Sequence, residues 1–491
     1  MTSIEPRIDP AIAALADAIL IPPFLGTTPP PWILEALGRG LAGVTLFGPN
    51  VVGDTAALSA ALRSAAAVEP VIAIDEEGGD VTRVAYAEGS PYPGNAALGA
   101  VDDVALTRDL YASIGGDLAR LGINVNLAPC ADVLVAGGSA VVGTRSFGSD
   151  PGLVARHVTA AVAGLQGVGV AACAKHFPGH GSTAADSHLA PATVAGTMAD
   201  LRVRDLPPFV AAIAAGSLAI MPGHLRVPEL TGDLPATFSQ AALMGLLRGE
   251  LGFDGVVISD GLEMRAASGV HGIPGAAVLA VTAGVDLLCL GRDTDEAMFN
   301  AVRSAIADAV GAGRLTGDRL AEAADRVAGL RAWLASARAV DGATAPDGAA
   351  PDDAIGLVAA RRALRRSGPV PSSLVDPLVV EVEPEENIAA GRFTWGFARW
   401  AEARRVDPAV GDGAAAGSIL AAAAGRPLVL AVRHGLGALP LVNELLAARP
   451  DAVVVDMGAP AWTPPPGTGY LATYGASRAS AQAAAEALGL A

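Results

Sequence analysis

Eight short apolar runs dominate the first two thirds of the chain, and none of them alternates in polarity. They are Ala18–Leu25, Val44–Phe47, Val71–Ile74, Ile123–Ala128, Val170–Ala174, Leu218–Met221, Val256–Ser259 and Val285–Leu290. A strand with one wet face alternates; a strand buried on both faces does not, and parallel sheets covered by helices meet that condition. Between the runs lie Ala/Leu-rich stretches with helical spacing, among them Thr55–Ala67, Asp103–Leu121, Gly152–Val168 and Gln240–Leu247. Eight such units predict an α/β fold, a (β/α)8 TIM-type barrel, over residues 1–340. A doubly wound open sheet is the competing arrangement, and the absence of a Gly-rich first turn counts against it.

Polar residues follow several runs directly: Asp75 after VIAI, Lys175 and His176 after AACA, His224 just past AIMPG, and Asp260 after VVIS. A barrel keeps its reactive groups at the carboxyl ends of its strands. The stretch 341–353, DGATAPDGAAPDD, reads as a linker. Residues 354–491 then read as a smaller α/β sandwich domain opened by a basic helix, IGLVAARRALRRSG. Its expected strands are Leu378–Val382, Pro427–Val432 and Ala452–Asp456, with a helix at Leu439–Ala448. The turn HGLGALP lacks the third glycine of a dinucleotide fingerprint, and no cofactor is implied.

Composition narrows the partners. A hydrophobic fraction of 52% over 491 residues excludes wholesale disorder. Fifty acidic against 33 basic residues, a formal charge of −17, argue against nucleic acid and anionic membranes as partners. Three cysteines, Cys130, Cys173 and Cys289, all in apolar stretches, exclude a disulfide framework and suit a reducing compartment. The start, MTSIEPRIDP, has no basic region ahead of an apolar one, so a cytoplasmic protein is expected. The uncharged stretch Leu206–Leu225 is long enough to span a bilayer, but Pro207, Pro208, Gly216, Pro222 and Gly223 break it into a short helix and a buried strand.

The densest chemistry lies in KHFPGHGSTAADSH, residues 175–188, which holds three of the seven histidines. His176 and His180 are four apart, but Pro178 and Gly179 forbid the helix that would make them a metal pair, so no metal is expected. A solvated histidine loop is the bland reading. The sharper one is that Asp186 and His188, two apart in an extended segment, project to one side. The carboxylate then fixes the imidazole tautomer and raises its basicity for proton transfer. Asp260 reads equally well as the N-cap of a capping box with Glu263 or as a carboxylate nucleophile kept ionised by Lys175, Arg83 or Arg145. In IDEEGGDVTR, residues 74–83, paired glycines allow a tight turn, and Asp75 and Arg83 suit sugar hydroxyls; a solvated charge run is the alternative. VGTRSFG supplies Arg145, whose fork suits bidentate bonding.

Taken in order, IDEEGG, NLAPCADV, VVGTRSFG, KHFPGHG with DSH, MPGH with PATFS, and VVISDGLEM resemble glycoside hydrolase family 3, in its β-N-acetylhexosaminidase branch of two-domain type. The resemblance implies a barrel catalytic domain and a retaining exo-acting mechanism through a glycosyl-aspartate. It makes Asp260 the nucleophile and His188, paired with Asp186, the acid/base. It assigns Asp75, Arg83, Arg145, Lys175 and His176 to the non-reducing sugar. The implied substrate is a small carbohydrate: an N-acetylglucosaminide, a muropeptide or a chitin fragment. Phosphorolysis in place of hydrolysis, a β-glucosidase, and a sugar-binding barrel without catalysis are the other outcomes. Two positions depart from the family's pattern. Asp80 stands where an arginine is usual, and Gly261 where an aspartate often follows the nucleophile.

Overall fold

The computed structural model describes residues 9–135, 141–183, 192–292, 294–341, 353–383, 389–391, 393–407, 413–433, 439–460 and 462–491. These divide into two compact units that interleave along the chain. One comprises the described parts of Met1–Glu76, Tyr111–Ser139 and Asp150–Ala350; the other, those of Glu77–Leu110, Ala140–Ser149 and Pro351–Ala491.

In the first unit every one of the eight apolar runs carries a strand. They are β1 (Leu20–Ile21), β2 (Gly43–Thr45), β3 (Val71–Ile74), β4 (Val125–Asn126), β5 (Ala171–Phe177), β6 (Ala219–Pro222), β7 (Val256–Val257) and β8 (Leu288–Cys289). Strands β2 to β7 pair in sequence order, each parallel to the next. A parallel bridge from Ile258 to Leu287 joins β7 to β8, and β8 pairs parallel with β1. The N–H of Thr45 donates to the carbonyl of Pro22 and brings β1 back to β2. The sheet is thus a closed parallel barrel of eight strands, as the pattern predicts. The strands are shorter than the runs because ladder pairing is brief, while the flanking residues stay buried without it.

Alternate residues of each strand point to one interior cluster: Val71 and Ala73, Val125 and Leu127, Ala171 and Cys173, Ala219 and Met221, Val256 and Ile258. The intervening residues, Ile72, Ile74, Ala172 and Val257, are equally inaccessible. Burial of both faces is why the runs show no alternation. All three cysteines lie in this interior layer or beside it as free thiols, and burial pushes the Cys173 and Cys289 thiols up.

One end of the barrel is sealed by the helix Gly317–Asp341, whose Val327, Leu330 and Leu334 join the interior cluster. Its Arg331 donates to the carbonyls of Val68 and Glu69, just ahead of β3. Its Arg319 donates to the carbonyl of Val285 and to Asp286, just ahead of β8. The helix therefore covers the amino ends of the strands, which leaves the carboxyl ends for chemistry. Asp286, fully buried, also accepts from Arg248 at 2.5 Å and from the N–H of Val257.

The helices follow the expected pattern with shifted ends: Thr55–Ala65, Val104–Arg120, Pro151–Gly167, and a π-type helix at Ala241–Glu250. The stretch Leu206–Leu225 forms the helix Pro207–Ala214 and then β6, as the prolines and glycines predict. The helix Arg265–Ala283 is long and apolar enough to cross a membrane by length and composition, but its backbone breaks at Gly272 and Pro274 follows.

The second unit holds a six-stranded sheet of β9 (Arg365–Ser367), β10 (Leu378–Val382), β11 (Glu402–Val406), β12 (Leu428–Val432), β13 (Val453–Asp456) and β14 (Gly469–Ala472). Their order is β9-β14-β13-β12-β10-β11, parallel except for β9. The helix Leu439–Ala448 lies where expected. The basic helix does not: it stops at Ala363, and Arg365–Ser367 pairs antiparallel with β14 instead. Strands β9 and β11 were not legible because Arg-rich, exposed edge segments carry no apolar run.

Asp286→Asn tests the seal at the amino ends. It removes the charge that Arg248, Arg319 and Arg326 share, and unfolding free energy should fall by about 3–5 kcal/mol. Denaturant titration reads this; a loss under about 1 kcal/mol would show that the arginines find other partners.

Candidate active site

Asp75 directly follows β3, and Lys175 lies near the end of β5. Their Oδ1 and Nζ are 2.5 Å apart, an ion pair whose lysine is almost fully buried. Asn126, at the end of β4, steadies the peptide after Asp75. Its Oδ1 accepts from the N–H of Glu76, and its Nδ2 donates to the carbonyl of Glu76. Asp260 follows β7, half-buried. Burial pushes the Cys173 thiol up; Asp75 and Asp260 add to that and Lys175 opposes it, so all three charges are within electrostatic reach of this thiol.

The structure removes one of the two readings of Asp260. The next helix begins at Arg265 with Met264 as its N-cap, so the expected capping box with Glu263 is not formed. Asp260 Oδ1 instead accepts from the N–H of Gly261 at 2.8 Å. Gly261, the other departure from the family's pattern, lies against Glu263. A Cβ there would lie 2.4 Å from Glu263 Oε2, so the Glu263 carboxylate occupies the space that a side chain at 261 would need.

The backbone of KHFPGHG is organised by Asp132, a fully buried carboxylate of NLAPCADV that sequence reasoning did not single out. Its Oδ1 accepts from the backbone N–H groups of His176 and His180, and its Oδ2 lies 2.7 Å from His176 Nδ1 and 3.1 Å from Cys130 Sγ. A carboxylate oxygen accepts, so His176 Nδ1 carries the proton. Burial alone would raise the Asp132 carboxyl, but His176 and His180 outweigh it and hold it below the usual carboxylate range. The only signal for Asp132 in the sequence was its place in a motif.

Cys130, Asp132 and His176 put one ligand atom each within 4.8 Å of the others. The spacing of the sequence gives no sign of this group: Cys130 and Asp132 follow β4, while His176 lies on β5. The donor set fits a hydrogen-bonded network, since the Asp132 oxygen already accepts from thiol and imidazole. The rings of His176 and His180 meet edge to face at 5.7 Å, and His180 Nδ1 is 2.6 Å from Thr183 Oγ1.

Asp186, Ser187 and His188 lie outside the described residues. The residues on either side of 184–191 are tied together by Arg204. Its Nη2 donates to Ser182 Oγ and to the carbonyl of Ala195, and its Nε to Asp205 Oδ2. Burial pushes the Asp205 carboxyl up to about 6 against the opposing pull of Arg204.

Arg83 and Arg145 belong to the second unit. Arg145 makes a bidentate pair with Glu77 at 2.8 and 2.9 Å, and Arg83 donates to the carbonyls of Ala389 and Ala390. The turn of IDEEGG is backbone against backbone: Gly79 has φ +60°, and a Cβ on it would sit 2.8 Å from Gly94 Cα. Glu76, Glu77 and Asp80 are buried, so this is not a solvated charge run. Asp80 accepts from the N–H of Ala476 and from Thr144 Oγ1 and lies 3.8 Å from Arg433 Nε, at the end of β12. Arg433 stacks 4.3 Å from the Phe393 ring centroid. Asp80, where the resemblance leads one to expect an arginine, thus has its cation in Arg433 of the C-terminal segment.

Residues 37–330 match the model of the glycosyl hydrolase family 3 N-terminal domain. The chain is 38% identical over 267 residues to a β-hexosaminidase of Stenotrophomonas maltophilia, covering 52% of this chain and 79% of that protein. A solved family 3 β-N-acetylglucosaminidase from a Paenibacillus species superposes with a TM-score of 0.85 at 30% identity, over 96% of this chain and 95% of the other. A β-glucoside phosphorylase shares the fold at 18% identity and a TM-score of 0.73, over 96% and 91%.

The hydrogen-bonded reading of Cys130, Asp132 and His176 has a direct check. Dialysis against a chelator should leave the melting temperature and any turnover unchanged. A lowered melting point restored by zinc would make the cluster a metal centre.

Proposed function

The chain belongs to glycosyl hydrolase family 3, and on that premise we propose that it is a retaining exo-β-N-acetylglucosaminidase acting on terminal N-acetyl-β-hexosaminides. The observation that carries this reading is the placement of Asp260. It stands at a strand's carboxyl end, caps no helix, has its carboxylate held by the N–H of Gly261, and shares its surroundings with Asp75 and Lys175.

In this reading the Asp75 carboxylate accepts from sugar hydroxyls and the Lys175 ammonium donates to them. His176, fixed by Asp132, presents the other edge of its ring to the sugar. An Asp260 oxygen attacks the anomeric carbon while His188, protonated, gives its proton to the departing glycosidic oxygen. The result is a glycosyl-aspartate ester. Water then attacks the same carbon, its proton passes to the neutral His188, and the ester bond breaks with the sugar's configuration retained. Asp186 holds the His188 ring in the tautomer this requires.

Phosphate is the alternative acceptor, because an imidazole base repels an anion less than a carboxylate base would. Lys175 is committed to Asp75 and Arg145 to Glu77, which supports water. The measurement is product identity in millimolar phosphate: free sugar is expected, and sugar 1-phosphate as the main product would overturn the hydrolase reading.

Asp260→Ala should lower turnover of an aryl N-acetyl-β-glucosaminide by roughly 3–5 orders of magnitude, and a mechanism-based fluorosugar should label Asp260 in the unaltered protein. Labelling elsewhere would remove the assignment. His188→Ala should slow substrates with poor leaving groups most and let activated ones accumulate the glycosyl-enzyme. Equal loss on all substrates with no accumulation would reduce His188 to a binding role.

A further inference from the structure

Two of the sequence motifs, MPGH and PATFS, have no part in the chemistry above, yet the fold brings both against the strand end that carries Asp260. His224 ends the turn after β6 and is fully buried. Its Nε2 lies 3.0 Å from the carbonyl oxygen of Gly261. That oxygen can only accept, so Nε2 carries a proton in every ionisation state of the ring. Its Nδ1 lies 2.8 Å from Thr237 Oγ1, and the same hydroxyl is 3.1 Å from the carbonyl of Gly223. Thr237 sits in the short 3-10 turn Ala236–Phe238, also fully buried, and Phe238 lies beside the imidazole at 6.4 Å between ring centroids.

The residue held in this way is the one that needs holding. Gly261 has no side chain to restrict its backbone, and the space beside it is filled by the Glu263 carboxylate, whose Oε1 accepts from the N–H of Arg292. Its N–H donates to Asp260 Oδ1. Residue 261 is therefore clamped on both sides, by the carboxylate at its N–H and by His224 at its carbonyl. Rotation of this residue would swing the N–H away from Asp260 and free the carboxylate to turn about its Cβ–Cγ bond. A nucleophile reaches its near-attack geometry only while that rotation is restricted, and a displacement of about 1 Å costs on the order of 100-fold in rate.

We infer that His224 is a positioning residue for the nucleophile. Oriented by Thr237, it holds the Gly261 carbonyl so that the Gly261 N–H keeps Asp260 aimed. It touches neither the sugar nor the reacting atoms. The inference rests on the reading of Asp260 as nucleophile, and it explains why MPGH, PATFS and SDGLE occur together: they form one brace across β6, the turn at 236–238 and β7.

The test is the rate constant of the first step, aryl release at saturating substrate, set beside the dissociation constant of N-acetylglucosamine. His224→Ala should lower that rate about 10- to 100-fold while product affinity stays within about twofold. Thr237→Val, which keeps the side chain's shape, should lower it several-fold in the same sense. His224→Gln, which can still donate N–H to a carbonyl, should recover part of the loss. A rate unchanged in both His224→Ala and Thr237→Val would overturn the inference, and so would a loss confined to affinity. If His224→Ala does not fold, Thr237→Val and His224→Gln decide alone by the same criteria. Asp260→Ala separates this failure from that of the underlying reading: if it keeps its activity, the nucleophile is wrongly assigned, whereas a dead Asp260→Ala beside a normal His224→Ala sinks only the positioning role.

Discussion

Strands that are apolar on both faces leave polar chemistry only one place to go, which is their ends. The barrel obeys this constraint throughout. Its interior is filled by alternate residues of the strands, its exterior by the helices, and its amino end by the apolar side of the helix Gly317–Asp341. The ionisable groups Asp75, Lys175, His176, His224 and Asp260 occur where a strand has just ended or is about to end, and Asp132 lies on the segment that follows β4. Because all the strands run parallel, these ends face one way, and groups from distant parts of the chain meet without any local signal that they should.

Buried charge is tolerated here because each such group has several partners at once. Asp132 accepts from two backbone N–H groups, an imidazole and a thiol. Asp286 does the same for arginines at the opposite end. A carboxylate in an apolar interior with a single partner would be costly, and a fully bonded one is a rigid anchor. The two hubs differ in what they serve: Asp286 ties helices to the barrel's amino end, while Asp132 shapes the turn from His176 to His180.

The second unit shows the same economy by another route. Residues 77–110 and 141–149 lie within the barrel's stretch of sequence but group with the C-terminal segment. Asp80 lies beside Arg433, and Arg145 binds Glu77, so two charges that look like ligands for a sugar or a solvent shell have protein partners. An arginine held bidentate by a carboxylate keeps a fixed fork, which is a condition for recognising a polar ligand with its remaining edge. Asp80 is thereby part of the protein's own framework.

Much of this was legible without coordinates. Lack of alternation in eight runs implied burial on two faces, and that implied the parallel barrel; each run carries a strand, and Pro207, Gly216 and Gly223 correctly divided the one stretch of membrane length. Short-range chemistry also singled out Asp260 and the KHFPGHG segment, and the structure sets Asp260 just past a strand and ties the segment to Asp132. Edge strands Arg365–Ser367 and Glu402–Val406 gave no sign of themselves, because an exposed strand is defined by its neighbour and not by its own polarity. That Asp260 caps no helix was likewise not readable until the helix was seen to begin at Arg265. Asp132, His224 and Thr237 depended most on the tertiary structure. Each acts through a partner tens of residues away, and a hydrogen bond between remote segments leaves no spacing in the sequence to be read; only the folded chain sets the distance that makes it a bond.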